Sequence, residues 1–180
     1  MKVKESSNFM KYIEKMNTIA CQFYSVYQKI PKNDPNVFYP RIVNLSFACE
    51  MFIKTLLLRN GTKYPYGKKG HEIMTLFELL NDEQKFTIKE NINHSSRIAE
   101  DITSIKRGID NGLLKDMNDL CNDNYFDKMI SKNNEAFYRW RYGEDNQFFS
   151  FTFADLFVSN IVSFLKLYNV FPVKFDIEKL

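Results

Sequence analysis

Apolar residues recur at three- and four-residue steps from the start of the chain: Phe9, Tyr12, Ile13, Met16, Ile19, Ala20, Phe23, Tyr27 and Ile30 fall on one stripe of a long amphipathic helix. Ser6 or Ser7 caps its start and Pro31 stops it, while Pro35 and Pro40 keep the connection KNDPNVFYP extended until a second helix begins near Arg41. The pattern then changes. From Val43 to Arg59, VNLSFACEMFIKTLLLR is apolar on nearly every side, as expected for a helix buried on most faces, and Asn60-Gly61 suits the left-handed turn that closes one.

Gly70 and His71 open a short third helix, HEIMTLFELL, in which Ile73, Leu76, Phe77 and Leu80 share a face. A thin stripe of Ile88, Ile92, Ile98, Ile102, Ile105 and Ile109 predicts one outer helix touching the core along an edge and ending at Gly108 and Gly112. One or two short helices are expected between Asp116 and Asn134. Phe153, Phe157, Ile161, Phe164, Leu165 and Tyr168 form the face of a last helix, with Thr152 and Asp155 as a capping pair and Pro172 at its end. The expectation is an all-α fold of about five to six helices in one domain spanning residues 1–180, since no repeat, linker or low-complexity tract divides it.

Composition narrows the function classes. A chain that is 44% hydrophobic and 16% aromatic is not disordered, and 6 glycines with 5 prolines argue against turn-dense β architecture. Cys21, Cys49 and Cys121 are odd in number and widely spaced, with only His71 and His94 beside them, so neither a disulfide framework nor a metal site is indicated. Reduced thiols in a cytoplasm fit best. The start, MKVKESSNFMK, lacks the apolar stretch of a signal peptide, and FTFADLFVSNIVSFLKLY is interrupted by polar residues, so no membrane span is expected. A net charge of +3 does not by itself mark a nucleic-acid binder, because that inference needs cations gathered on one surface.

Candidate chemistry begins inside the apolar second helix. Glu50 and Lys54 are four apart, with Ser46 one turn earlier on the same side. They are either an i,i+4 pair at the solvent margin or a pair facing a cleft. The loop that follows, RNGTKYPYGKKGH, holds Arg59, Lys63, Lys68 and Lys69 with two tyrosines, three glycines and no acid. Cations interleaved with aromatic rings suit phosphate contact and base stacking, though a solvated loop has the same composition, and the glycine spacing is not that of a P-loop. At a helix start, free N–H groups disfavour an added positive charge, so His71 is expected as a neutral base or hydrogen-bond partner, or else as a cap. In FYRWRYGED, Arg139 and Arg141 flank the sole tryptophan, Trp140, and either guanidinium could meet Glu50, as a clamp between helices or as a functional contact.

Taken in order, PRIVNLSFACEMFIKTLLLRNG, GHEIMTLFELL and FYRWRYGED resemble a group of prokaryotic HEPN domains, in which A-C-E-x-x-x-K is followed by G-H-x-x-x-x-L-F and later by W-R-Y. The resemblance covers about residues 41–80 and 137–144. It implies an up-and-down helical bundle, commonly a homodimer, in defence, stress or toxin-antitoxin settings, acting on or binding RNA. The positions that match the group's pattern are Glu50, Lys54, His71, Trp140, Arg141 and Tyr142. The R-x4-6-H motif of the family's nucleases is absent: Arg59 and His71 are too far apart, and His94 precedes Arg97. Three functions follow as expectations: a module binding RNA or nucleotide phosphates without cofactor or metal, a non-catalytic module that dimerises or docks a nucleotidyltransferase or antitoxin, and a divergent metal-independent RNase using His71 with Arg139 or Arg141.

Overall fold

The buried stripe of the first helix is Ile13, Met16, Ala20, Tyr24 and Tyr27, with Asn17 and Cys21 beside it, which is the spacing of a single helical face. In the computed structural model, which describes residues 7–32, 34–110, 117, 119–139 and 148–169, this helix is α1 (Ser7–Lys29). Tyr12 lies outside the stripe, about half exposed, whereas Tyr24 belongs to it. The second helix, α2 (Phe38–Arg59), starts three residues earlier than the sequence pattern predicts. Pro40 sits in its first turn, where a missing N–H costs no helical bond, and Pro35 lies in a single 3-10 turn, Pro35–Val37, instead of an extended connection.

Thirteen of the residues of α2 are buried, including Arg41, Ser46, Glu50 and Lys54. Its end is a paired closure: Gly61 N–H donates to Leu58 O at 2.9 Å and Thr62 N–H to Leu57 O at 2.8 Å, with Gly61 at φ +75°. α1 runs antiparallel to α2. Tyr27 near the end of α1 lies against Arg41 at the start of α2, Phe23 stacks on Phe47, and Tyr64 just past α2 donates its hydroxyl to Met16 Sδ.

The remaining helices are α3 (Ile73–Glu78), α4 (Asp82–Asn93), α5 (Arg97–Asp110), α6 (Tyr125–Arg139) and α7 (Phe151–Leu167). The described residues thus form an all-α bundle of seven α-helices with no strand. The isoleucine stripe is shared between two helices because the chain turns at His94–Ser96, and Gly108 lies within α5 instead of ending it. α7 is capped by Ser150, whose Oγ accepts from Phe153 N–H at 3.0 Å, in place of the predicted Thr152 and Asp155 pair. The predicted stops at Gly112 and Pro172, and the cap at Ser6, fall outside the described residues. No helix among the described residues is long and apolar enough to cross a membrane.

α7 lies parallel to α2: Phe151 stacks beside Arg41 at one end, Ala154 O accepts from Cys49 in the middle, and Tyr168 meets Arg59 at the other end. Two polar knots join the outer helices to this pair. Gln84 at the start of α4 accepts from Asn60 and donates to Tyr168. Asp101 on α5 accepts from Tyr125 at 2.6 Å and from Ser150 at 2.8 Å, tying α5, α6 and the cap of α7 together.

The Tyr125 hydroxyl is fully buried, and burial followed by the adjacent Asp101 carboxylate pushes its pKa well above the ordinary 10.0. Tyr24 and Tyr27 rise for the same two reasons, with Asp155 as the carboxylate. Unfolded tyrosines therefore release protons first, so the stability these three groups contribute is constant below about pH 10 and falls as pH rises beyond it. In Tyr125→Phe, chemical denaturation is expected to show a loss of about 1–2 kcal/mol at neutral pH. The alkaline decline should be shallower than in the native chain by up to about 1.4 kcal/mol per pH unit.

Candidate functional site

The apolar character of α2 makes any charge on it expensive unless matched, and Glu50 is matched twice. One carboxylate oxygen, Oε1, accepts from Lys54 Nζ at 2.7 Å and lies 2.9 Å from His71 Nδ1. Glu50 is 1% exposed and Lys54 7%, so the pair is not at the solvent margin. The i,i+4 spacing on one rigid helix sets the first contact without any tertiary help. The second requires the chain to return after the helix ends.

That return is made by residues 59–71. Tyr64 lays its ring over Lys54, with Nζ 5.0 Å from the ring centre, so the ammonium sits between a carboxylate and an aromatic face. Burial, followed by the Tyr12 hydrogen bond and its charge, pushes the Tyr64 phenol up to about 12; the Glu50 carboxylate adds a smaller push. Gly70 is buried, and a Cβ there would stand 2.3 Å from the Pro65 carbonyl oxygen. Only glycine allows the loop to fold back this tightly. Gly67, at φ +67°, turns the backbone into the single 3-10 turn Lys68–His71 that presents the imidazole to Glu50.

His71 therefore does not open a longer helix as the sequence pattern predicts: it closes the 3-10 turn, and α3 begins at Ile73 after Glu72. A carboxylate can only accept, so Nδ1 carries the hydrogen in this contact and Nε2 is left for a second partner. The ring is nearly half exposed. It is the solvent edge of an otherwise sealed ion pair.

Lys63, Lys68 and Lys69 are exposed around the same turn, with Tyr66 almost wholly in solvent at 96%. Arg59 is drawn the other way, its guanidinium carbon 5.9 Å from the Tyr168 ring at the end of α7. The structure thus brings Glu50, Lys54, His71 and the lysine loop together and places Arg59 at the neighbouring helix junction. The side chain of Arg139, and all of Trp140, Arg141 and Tyr142, lie outside the described residues. Ser46 is buried on α2, and its hydroxyl has no hydrogen-bond partner among the described residues.

Other chemistry is limited. No group of three or more His, Cys, Asp or Glu among the described residues could hold a metal ion. Cys21 is buried and its thiol is pushed up to about 12, which removes it as a thiolate nucleophile at neutral pH. No protein-family model, curated protein or solved structure matches the chain.

Sequence reasoning missed Gly70 and Tyr64 as structural members of the site. The G-H pair and the aromatic residue in the loop were visible, but the Pro65 carbonyl against Gly70 and the Lys54 ammonium beneath Tyr64 are set by the folded loop. Removing one member of the pair leaves the other charge buried, so Lys54→Met is expected to cost about 3–5 kcal/mol in denaturant unfolding. The double variant Glu50→Gln with Lys54→Met should recover a large part of that loss, the signature of a coupled pair in a mutant cycle.

Proposed function

We propose that the chain is a HEPN-like helical module that binds RNA through its phosphates, with a nucleotide as the minimal ligand, and that the loop 59–71 is the contacting element. The observation that carries this reading is the combination of exposure and anchoring in that loop. Lys63, Lys68, Lys69, the ring of Tyr66 and the edge of His71 all face solvent, while Gly70, Tyr64 and the His71–Glu50 contact hold the backbone against the core. Cations held on a fixed backbone lose less entropy on meeting a phosphate than cations on a free tether. A solvent-facing tyrosine among them offers a stacking surface for a base.

The imidazole fits the same role. With Nδ1 engaged by Glu50, Nε2 is the atom left to meet a phosphate oxygen as a donor when the ring is protonated. The proposal is binding and not cleavage, because the R-x4-6-H pair of the family's nucleases is missing from the sequence. The resemblance extends it to a cytoplasmic homodimer in a toxin-antitoxin or defence setting, with a nucleotidyltransferase or antitoxin as partner chain.

A second reading, a helical module that docks a partner protein and uses the charged cluster only as internal glue, draws support from the sealing of Glu50 and Lys54 from solvent. Salt dependence separates the two. Titration of a single-stranded RNA oligonucleotide by fluorescence anisotropy is expected to show affinity falling with salt. The triple variant Lys63→Gln, Lys68→Gln, Lys69→Gln should flatten the log–log slope by about 2, and Tyr66→Ala should weaken binding by roughly 1–3 kcal/mol. Absence of salt-sensitive binding, or a triple variant that binds like the native chain, returns the cluster to a structural role.

A further inference from the structure

The opposite end of α2 holds a second charged site. Arg41 stands about 20 Å from Lys54 along the helix axis, and it is 7% exposed. Its Nη1 donates to the Lys32 carbonyl at 3.2 Å, and its Nε is buried with no hydrogen-bond partner among the described residues. No carboxylate among the described residues lies within ion-pair distance of it. The guanidinium carbon rests instead 4.4 Å from the Phe151 ring centre and 5.2 Å from that of Tyr27. Aromatic faces offset part of the desolvation of a buried cation but supply no counter-charge.

Arg41 lines a pocket of about 320 Å³ with Tyr24, Tyr27, Lys32, Arg97 and Asp155. The carboxylate in that lining is already occupied: Asp155 accepts from Tyr24 at 3.0 Å, from Tyr27 at 3.1 Å and from Arg97 Nη2 at 3.4 Å. Among the described residues, three cations against one engaged carboxylate leave two positive charges unbalanced around a space the size of a small ligand. Guanidinium groups match tetrahedral oxyanions with paired N–H donors, and a phosphate monoester carries nearly two negative charges near neutral pH.

We propose that this pocket, formed by α1, the start of α2, Arg97 of α5 and Asp155 of α7, binds a phosphate monoester group, with Arg41 and Arg97 as the principal ligands and Lys32 at the rim. The tyrosine pair holds Asp155 in place and keeps its charge turned toward phenol donors. The site is separate from the lysine loop and stands whether or not that loop binds RNA. The same group reaches the pocket either on a free mononucleotide-sized molecule or as the 5′ end of a strand.

The test is calorimetric titration of the purified chain with inorganic phosphate, AMP and adenosine, and with a short RNA carrying either a 5′-phosphate or a 5′-hydroxyl. Saturable binding is expected for the phosphorylated member of each pair that fits, and the preference between AMP and the 5′-phosphorylated strand identifies the source. Arg97→Gln, at a half-exposed position that folding tolerates, and Arg41→Lys, checked for folding by circular dichroism, should each weaken that binding by at least about tenfold. In the Lys63→Gln, Lys68→Gln, Lys69→Gln background, which removes the loop's own phosphate contacts, AMP binding should persist and still fall by at least about tenfold with either arginine change. The proposal is overturned if no phosphorylated probe binds saturably, if adenosine binds as tightly as AMP, or if binding survives both arginine changes in folded protein.

Discussion

An ionised carboxylate held almost wholly out of water is tolerable only when cations and hydrogen-bond donors replace the lost solvent. Glu50 meets that requirement with Lys54 from its own helix and His71 from the returning loop, both on one oxygen. The first partner is local and present whenever α2 forms. The second exists only after residues 59–71 have folded back over the helix, so the cost of burying the carboxylate becomes a force that seats the loop. Tyr64 over Lys54 and Gly70 under Pro65 let that seating occur without a void or a clash.

The same helix carries two charged ends with different solutions. Near its C-terminal half, charge is neutralised internally and only an imidazole edge reaches solvent. Near its start, Arg41 is buried against aromatic rings with no acid beside it among the described residues, and the nearby carboxylate is committed to two phenols and Arg97. A folded chain keeps an unmatched buried cation at a cost, and the pocket beside it is where that cost would be recovered. The bundle around α2, with α1 antiparallel and α7 parallel to it, sets both ends by packing alone. The Asp101 knot and the Gln84 knot then fix the outer helices relative to α7.

Much of the architecture is legible in the sequence because helical burial is periodic. The apolar run of α2, the closing Asn60-Gly61 pair and the core faces of α3 and α7 all follow from spacing, and the i,i+4 relation of Glu50 and Lys54 needs no tertiary information. What failed did so where a neighbour decided the outcome. Tyr12 and Tyr24 both fit a helical stripe, and Asp155 on a distant helix selects Tyr24 for burial. The isoleucine stripe continues smoothly through a turn at His94–Ser96 because both helices present the same edge to one core. Arg41 carries no local sign of burial, since the groups that cover it come from other elements: Tyr27 of α1, the Lys32 carbonyl and Phe151 of α7. The grouping of His71 with Glu50 in one polar cluster follows from the resemblance alone, and the geometry of their contact rests on a glycine backing onto a proline carbonyl, which no local pattern shows.

Residue-resolved amide hydrogen exchange in native protein and in Glu50→Gln tests most directly whether this carboxylate seats the basic loop. The account predicts that protection at Gly70 and Glu72, whose amides bond within the turn, falls more than protection in the middle of α1 and α7. Loop protection unchanged in a folded Glu50→Gln protein, or a uniform loss across the whole bundle, would contradict it.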